Sequence, residues 1–194
     1  MENYTEIKGR ETLKEEKLKK IKLFIMDVDG VLTDGRIIRS SDGGESKVFD
    51  VMDGTGITLA HLAGIRTAII SGRKSEVTSL QAMELGINEV HQVSGGKEEI
   101  LDRLLGEFEL QEKEIAFVGD DLLDIPLLRR VGWAVAVSNA HTEVKKVCHY
   151  VTQRDGGRGA VREAIEMIIK SQGKWKEVVE KFLGEQRKSS LENG

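Results

Sequence analysis

The apolar residues of the chain form short β-type runs that alternate with stretches of helical spacing. The β-type runs cover residues 23–26, 67–70, 115–118 and 134–137. The helical stretches repeat apolar side chains every three or four positions: Ile100, Leu101, Leu104, Leu105 and Phe108, and later Val161, Ile165, Ile168 and Ile169. This alternation predicts an α/β fold, in which a parallel sheet is covered by helices.

A different pattern lies between the first and second predicted strands. Ile37 and Ile38, a polar turn at 40–44, and then Val48 and Phe49 predict a β-hairpin within about residues 35–50. The hairpin is too small to be a separate lid domain. Because a two-stranded ribbon is marginally stable alone, we expect it to pack on another subunit.

The length of 194 residues fits one domain with a substantial core. We assign residues 1–20 to a charged N-terminal extension, 21–173 to a single domain, and 174–194 to a C-terminal helix and tail. Residues 14–20 mix both charges, which predicts a solvated helix. The polar end from Arg187 to Ser190 is expected to be mobile.

Composition excludes several functional classes. The net charge of −4, with two Trp and two Tyr, gives no reason to expect nucleic acid binding. No apolar stretch has the length of a membrane span, and the first residues lack the features of a secretory signal, so we expect a cytoplasmic protein. Cys148 is predicted to be a small core residue. The four histidines have no ligand spacing, and none is assigned a catalytic role.

A polar cluster follows each of the first three predicted strands. Asp27 and Asp29 follow the first, Ser71 the second, and Asp120 and Asp121 the third. In an open α/β sheet, ligands bind at the carboxyl ends of the strands, so these clusters are expected to converge. Asp-Xaa-Asp-Gly alone also fits an ordinary turn. Paired aspartates beside an apolar strand are costly without a cation or donors, which favours a functional site.

The carboxylates predict a magnesium site. Asp27 and Asp29 lie two apart, which in extended chain places both side chains on one side, where their charges repel. Oxygen ligands of this kind suit Mg²⁺, and Asp120 is placed to supply another carboxylate across the sheet. Asp121 and Asp124 are close enough to orient Asp120 or metal-bound water.

The same residues fit hydrolysis of a phosphate ester. Asp27 is the candidate nucleophile, which would form an aspartyl-phosphate, and Asp29 is the candidate acid and base. Ser71, the Gly72 backbone N–H and Lys97 could hold the phosphoryl oxygens. Taken alone, Ser71 also fits a turn serine and Lys97 a surface residue at a helix start.

These residues also carry a family resemblance. Segments 27–35, 71–73 and 119–124, together with Lys97, resemble the four motifs of the haloacid dehalogenase superfamily in order and spacing. Segments 49–57 and 156–163 resemble its capless branch, which includes phosphatases of 3-deoxy-D-manno-octulosonate 8-phosphate. The resemblance implies a Rossmann-like fold with a small hairpin in place of a cap domain. It also implies Mg²⁺ and a homotetramer in which a neighbouring subunit helps to close the site.

The resemblance assigns roles to individual residues. It makes Asp27 the nucleophile and a metal ligand, Asp29 the acid and base with its carbonyl on the metal, and Asp120 a metal ligand. Ser71 and Lys97 would hold the phosphoryl group. The implied substrate-binding residues are Asp29, Asp50, Val51, Met52, Asp53, Gly54, Gly72, Arg73 and Lys97.

The implied substrate is 3-deoxy-D-manno-octulosonate 8-phosphate, which would yield the free sugar acid and phosphate for lipopolysaccharide synthesis. Arg73 favours this eight-carbon sugar, because the related nine-carbon phosphatases have Glu there. Thr58 and Gln81 stand where the branch usually has basic residues. A nine-carbon deoxynonulosonate phosphate or another sugar phosphate is therefore the alternative substrate.

Two readings without enzyme activity compete. A response-regulator receiver domain uses similar aspartates, but it would not need Asp29 together with the pair Asp120 and Asp121. The second interpretation without enzyme activity is an inactive tetramerisation module of the same fold. Retention of Asp27, Ser71 and the other candidate catalytic residues argues against it.

Overall fold

A computed structural model describes residues 4–192 of the chain, and the side chains of residues 12–185. Its main sheet contains β1 (Leu23–Met26), β4 (Arg66–Ser71), β5 (Glu89–Gln92), β6 (Ile115–Gly119), β7 (Trp133–Ala136) and β8 (Tyr150–Val151). The spatial order is β5-β4-β1-β6-β7-β8, and all neighbouring strands are parallel. The predicted α/β fold with a parallel sheet is confirmed.

Helices connect and cover the strands. Their bounds are α1 Tyr4–Lys19, α2 Val51–Leu62, α3 Glu76–Glu84, α4 Lys97–Glu107, α5 Ile125–Leu128, α6 Thr142–Val147, α7 Ala160–Ser171 and α8 Trp175–Glu192. Two short 3₁₀ turns lie at Glu112–Glu114 and Leu122–Asp124. Within the described residues, no helix is long and apolar enough to cross a membrane.

The core lies on both faces of the central strands. Every residue of β1, β6 and β7 is buried, which explains their uninterrupted apolar sequences. The predicted helical stripes also face the core. Leu101 and Leu104 of α4 are fully buried, as are all four stripe residues of α7, whereas the other three residues of the first stripe are partly buried against the core.

The hairpin differs from its prediction. Its strands are β2 (Ile38–Arg39) and β3 (Glu45–Ser46), so the second strand predicted at Val48 and Phe49 is wrong. Phe49 instead packs against the core, while the Val48 side chain is exposed. The inward-facing positions around β3 are polar, because they make ion pairs described below. An apolar pattern could not reveal that register.

The chain termini also differ in part from expectation. Helix α8 continues to Glu192, so it covers nearly all of the segment that the sequence divides between a helix and a tail. The side chains from Arg187 to Ser190 lie outside the described residues, and the mobility of that end stays a prediction. Cys148 is half-buried against the core rather than fully inside it.

Two glycines allow a distant loop to lie against the loop that follows β1. A Cβ at Gly156 would lie 1.7 Å from the carbonyl oxygen of Gly30. Gly157 has φ +63° and donates its N–H to the Val31 carbonyl at 2.8 Å. The loop at 156–157 therefore holds the β1 loop in place.

Replacing Gly156 with Ala is expected to displace the β1 loop. The clash is with backbone atoms, so we expect a loss of roughly 1–3 kcal/mol in unfolding free energy and a fall in activity. Urea unfolding measures the first effect. Gly106→Ala is the matched control, since a Cβ there meets open space in α4 and should be neutral or slightly stabilising. Equal stability of both variants would contradict this packing role.

Candidate active site

The three polar clusters meet at the carboxyl end of the sheet. They line a cavity of about 230 Å³, whose wall contains Asp27, Asp29, Ser71, Gly72, Arg73, Lys97, Asp120, Asp121, Leu123 and Asp124. β1, β4 and β6 are adjacent in the sheet, so the residues that follow them are brought together. The structure thus gathers most of the predicted site residues in one place.

A buried lysine joins two aspartates at the base of this cavity. Lys97 Nζ lies 2.8 Å from Asp27 Oδ1 and 2.7 Å from Asp124 Oδ1, and all three side chains are at least nine-tenths buried. Burial raises the pKa of Asp27 to about 6 against the opposing effect of Lys97. Burial alone would lower the pKa of Lys97, but the two carboxylates raise it overall. Lys97 is therefore a fixed cation beside the candidate nucleophile.

Asp124 also orients the loop that carries Asp120. Its Oδ2 accepts the backbone N–H of Asp120 at 2.9 Å and that of Asp121 at 3.3 Å. Burial, followed by the charges of Asp27 and Asp124, raises the pKa of Asp120 to about 8. Gly30 lies directly beside this carboxylate, since a Cβ there would be 2.1 Å from Asp120 Oδ2. The site thus concentrates negative charge.

The acidic group fits a divalent cation. Carboxylate oxygens of Asp27, Asp120 and Asp124 lie within 4.8 Å of one another. Both oxygens of Asp124 already accept protein donors, whereas no hydrogen bond of the described residues engages the Asp120 carboxylate. Hard oxygen donors that repel each other suit Mg²⁺, which would remove the repulsion. Asp27 and Asp120 are the residues with oxygens left to hold it.

Asp29 lies between two cations. Lys47 Nζ is 2.6 Å from its Oδ1, and Arg73 Nε is 3.3 Å from its Oδ2. The Lys47 contact is an ion pair rather than a well-aligned hydrogen bond, because Oδ1 is buried and receives no donor of good geometry. The two cations hold the carboxylate of the candidate acid and base at the cavity wall.

Arg73 itself is held by the hairpin. Its two terminal nitrogens each donate to one oxygen of Glu45 at 2.8 Å, and Ser75 Oγ donates to the same carboxylate at 2.7 Å. Hydrogen bonds from Arg73 and then Ser75 lower the pKa of Glu45 to about 2. Arg73 therefore faces the cavity in a fixed orientation.

Ser71 is placed to receive a ligand at its hydroxyl. The residue is 1% exposed, and the hydrogen bonds of its Oγ within the described part of the chain are 3.4 Å contacts with the backbone N–H and carbonyl of Arg73. Gly72 follows at the turn. Hydroxyl, backbone N–H and the Lys97 ammonium together form a donor set for an anion.

The structure does not bring the segment from Asp50 to Gly54 to this cavity. Asp50 caps α2, since its side chain accepts the N–H of Met52 at 2.6 Å. Asp53 is buried and accepts the N–H groups of Gly159 and Arg162 at the start of α7. Burial raises the pKa of Asp53 to about 6. Within a single chain, Asp50 therefore caps helix α2 and Asp53 joins α2 to the start of α7.

Thr58 and Gln81 lie in a second cavity. This space, of about 360 Å³, is also lined by Asp50, Val51, Gly54 and Phe182. The two positions that depart from the branch pattern are therefore not walls of the cavity that holds Asp27. If Thr58 or Gln81 takes part in substrate recognition, the substrate must extend out of the cavity that holds Asp27 and reach the second one.

Sequence reasoning missed Glu45 and Lys47. They lie two apart in an extended segment, which places both side chains on one face, and that face meets the site. The spacing was a usable signal. The apolar residues of the hairpin, Ile37, Ile38, Val48 and Phe49, give a stronger signal that favours a different buried side.

A buried aspartate paired with a lysine lies at the carboxyl end of a parallel sheet, beside carboxylates that could hold a cation. This arrangement fits an α/β enzyme that handles phosphorylated compounds. Comparison with known proteins gives the family. Residues 67–165 match the model of the haloacid dehalogenase-like hydrolases. The chain is also 42% identical, over 81% of its length and 84% of the relative's, to 3-deoxy-D-manno-octulosonate 8-phosphate phosphatase KdsC of Escherichia coli.

Solved structures agree with this match. The phosphatase of the same name from Moraxella catarrhalis, in complex with magnesium, phosphate and KDO, has a TM-score of 0.84 and 40% identity, covering 87% of this chain and 97% of that one. The Yersinia pestis phosphatase has a TM-score of 0.82 and 40% identity, covering 84% and 88%. The chain belongs to the haloacid dehalogenase-like hydrolases. This membership excludes the receiver-domain alternative.

Proposed function

We propose that the protein is a Mg²⁺-dependent phosphomonoester hydrolase that acts on a sugar-acid phosphate, 3-deoxy-D-manno-octulosonate 8-phosphate. The proposal rests on the surroundings of Asp27. Its buried carboxylate pairs with the Lys97 ammonium and belongs to the same group of carboxylates as Asp120. The likeness to octulosonate phosphatases along four-fifths of the chain supports the substrate.

The site residues divide the reaction between them. Asp27 attacks phosphorus while the phosphorus–oxygen bond to the sugar breaks, which gives an aspartyl-phosphate and the sugar alcohol. Asp29 donates a proton to the departing oxygen and later takes one from the attacking water. Ser71, the Gly72 N–H and Lys97 hold the phosphoryl oxygens. Mg²⁺, held by Asp27 and Asp120, would neutralise charge between the carboxylates and the phosphate.

Arg73 is the proposed contact for the carboxylate of the sugar acid. Of its five N–H donors, three face Glu45 and Asp29. Two remain for a ligand, and the bidentate Glu45 contact fixes the guanidinium plane. The pairing would be a charge-assisted contact that small phosphate esters cannot make.

A substrate panel tests the proposed function. The purified protein with Mg²⁺ is assayed for phosphate release from octulosonate 8-phosphate, a nine-carbon deoxynonulosonate 9-phosphate, neutral sugar phosphates and an aryl phosphate. We expect the highest kcat/KM for the eight-carbon acid. A higher kcat/KM for the nine-carbon acid or a neutral sugar phosphate would support phosphatase activity but rule out octulosonate 8-phosphate as the preferred substrate. Absence of hydrolysis of every ester would favour the inactive tetramerisation module.

Arg73→Ala is expected to lower kcat/KM for the acidic sugar phosphate selectively. The loss should be about 1.5–3 kcal/mol relative to a neutral sugar phosphate, whose alkyl leaving group depends on Asp29 in the same way, because only the acidic sugar loses a charged contact. Lys74→Ala is the control, since the neighbouring lysine is exposed and does not line the cavity. Equal losses on both substrates would assign Arg73 to the phosphoryl group or to the fold.

Assembly as a homotetramer is part of this proposal. The hairpin region exposes 61% of Ile38 and 65% of Val48, and Val51 beside it is 85% exposed. Packing of these exposed apolar side chains against a neighbouring subunit would bury them and form the tetramer that the resemblance to the capless branch implies. Analytical ultracentrifugation tests it, and a fully active monomer at micromolar concentration would contradict it. A cytoplasmic location is proposed with it.

A further inference from the structure

The ammonium group of Lys47 is buried beneath the site. Its side chain has no exposed surface, and its Nζ lies 2.6 Å from Asp29 Oδ1 and donates to Thr78 Oγ1 at 3.2 Å. Thr78 on α3 is itself 1% exposed. Burial of an ammonium is costly unless a counter-charge compensates, and Asp29 supplies that charge. The contact ties the hairpin of the chain to its own candidate acid and base.

The two oxygens of Asp29 have different surroundings. Oδ1 is buried and receives no well-aligned hydrogen bond from the described residues, so the Lys47 charge is its partner. The side chain is nevertheless 23% exposed, and among the described residues Oδ2 has only the 3.3 Å contact with Arg73 Nε. The exposed part of the carboxyl group is therefore on the Oδ2 side. This leaves Oδ2 as the oxygen that can exchange a proton with a ligand.

We propose that Lys47 is a positioning residue for proton transfer by Asp29, an inference that rests on the proposed function. As Asp27 bonds to phosphorus, the bond from phosphorus to the sugar oxygen breaks and its electron pair stays on that oxygen. The monoanion of the phosphate ester brings one proton, which Asp29 Oδ2 takes from it and passes to the leaving oxygen. This leaves the sugar alcohol and an Asp29 carboxylate. Lys47 fixes Oδ1 throughout, so that Oδ2 points at the leaving oxygen.

The leaving-group dependence of kcat/KM tests this role. kcat/KM reports the steps up to departure of the leaving group, and an alkyl oxygen of a sugar needs a proton whereas p-nitrophenolate does not. For Lys47→Met we expect a roughly 10- to 100-fold loss on the sugar phosphate and less than about threefold on p-nitrophenyl phosphate. A role in folding alone would lower both values equally, and equal losses would overturn the proposal.

Three further variants make the test specific. Lys47→Arg keeps a cation and should retain most of the activity on the sugar phosphate. Lys113→Met removes an exposed cation that precedes β6, at the opposite end of the strand from the cavity, and should change the rate on neither substrate. Thr78→Val removes the second partner of Lys47 and should produce a smaller loss with the same substrate preference. If Lys47→Met does not fold, Thr78→Val becomes the test of the role of Lys47. An equal loss of kcat/KM on both esters in Thr78→Val would overturn the proposal.

The outcome also separates this inference from the function on which it rests. A wild-type protein that hydrolyses neither ester would remove the proposed function and the role of Lys47 with it. An active wild type whose Lys47→Met variant loses both activities equally would remove only the role of Lys47.

Discussion

Replacing Asp27 with Asn is expected to abolish phosphate release, by roughly four to six orders of magnitude in kcat. The amide has the shape of the carboxylate but cannot attack phosphorus. Lys97 still pairs with Asp124 in the variant, so the site should stay folded. Steady-state assays on the substrate chosen by the panel measure the effect.

The variant must be shown to be folded before its inactivity is interpreted. Circular dichroism and thermal unfolding should match the wild type closely. Asp102→Asn is the matched control, because this exposed aspartate pairs with Arg130 far from the cavity, and its activity should be unchanged. Mg²⁺-dependent turnover near the wild-type rate in a folded Asp27→Asn protein would refute the nucleophile assignment.

Replacing Lys97 with Met is expected to damage both stability and activity. The substitution leaves the carboxylates of Asp27 and Asp124 buried without their cation, which should cost about 3–5 kcal/mol of unfolding free energy. Activity should fall below detection, because the phosphoryl group also loses its fixed positive charge. Urea unfolding and phosphate release measure the two effects.

Magnesium should partly restore the stability of this variant, since a cation bound to Asp27 and Asp120 reduces the uncompensated charge. Lys22→Met is the control. Lys22 pairs with Glu114 at the protein surface, and its loss should change the unfolding free energy by less than about 1 kcal/mol. A Lys97→Met protein as stable as this control would contradict the buried ion-pair network.

Much of the fold follows from the sequence because its central strands are buried on both faces. The predicted bounds of β1 agree with the observed ones. The prediction for β6 differs from the observed strand by one residue at one end, and those for β4 and β7 differ by one residue at each end. β5 and β8 were missed. They are the two edge strands of the sheet. β8 has two residues and β5 carries Glu89, His91 and Gln92, so neither has the apolar run of a central strand.

The aspartates of the site could be located for a related reason. Asp27 and Asp120 directly follow buried strands that pair in the sheet, so their position is set by topology. The contacts of Arg73 with Glu45, and of Asp29 with Lys47, depend instead on how the hairpin folds back. Local spacing places Glu45 and Lys47 on one face but does not say which surface that face meets.

The segment from Asp50 to Gly54 shows a second limit. Its resemblance to the capless branch suggested substrate contacts, yet Asp50 caps α2 and Asp53 accepts N–H groups at the start of α7. A motif shared with a family does not by itself show whether its residues stabilise the fold or contact the substrate. The helix cap of Asp50 and the buried hydrogen bond of Asp53 to Gly159 are sufficient reason for these aspartates in a single chain.

Asp27 is expected to carry the phosphoryl group during turnover. The direct measurement is mass spectrometry of the wild-type protein after acid quench during turnover with Mg²⁺ and substrate, followed by peptide mapping. We predict an added phosphoryl group on Asp27, absent without Mg²⁺ and absent in Asp27→Asn. Rapid turnover with no adduct on any peptide, or an adduct on a residue other than Asp27, would contradict the account.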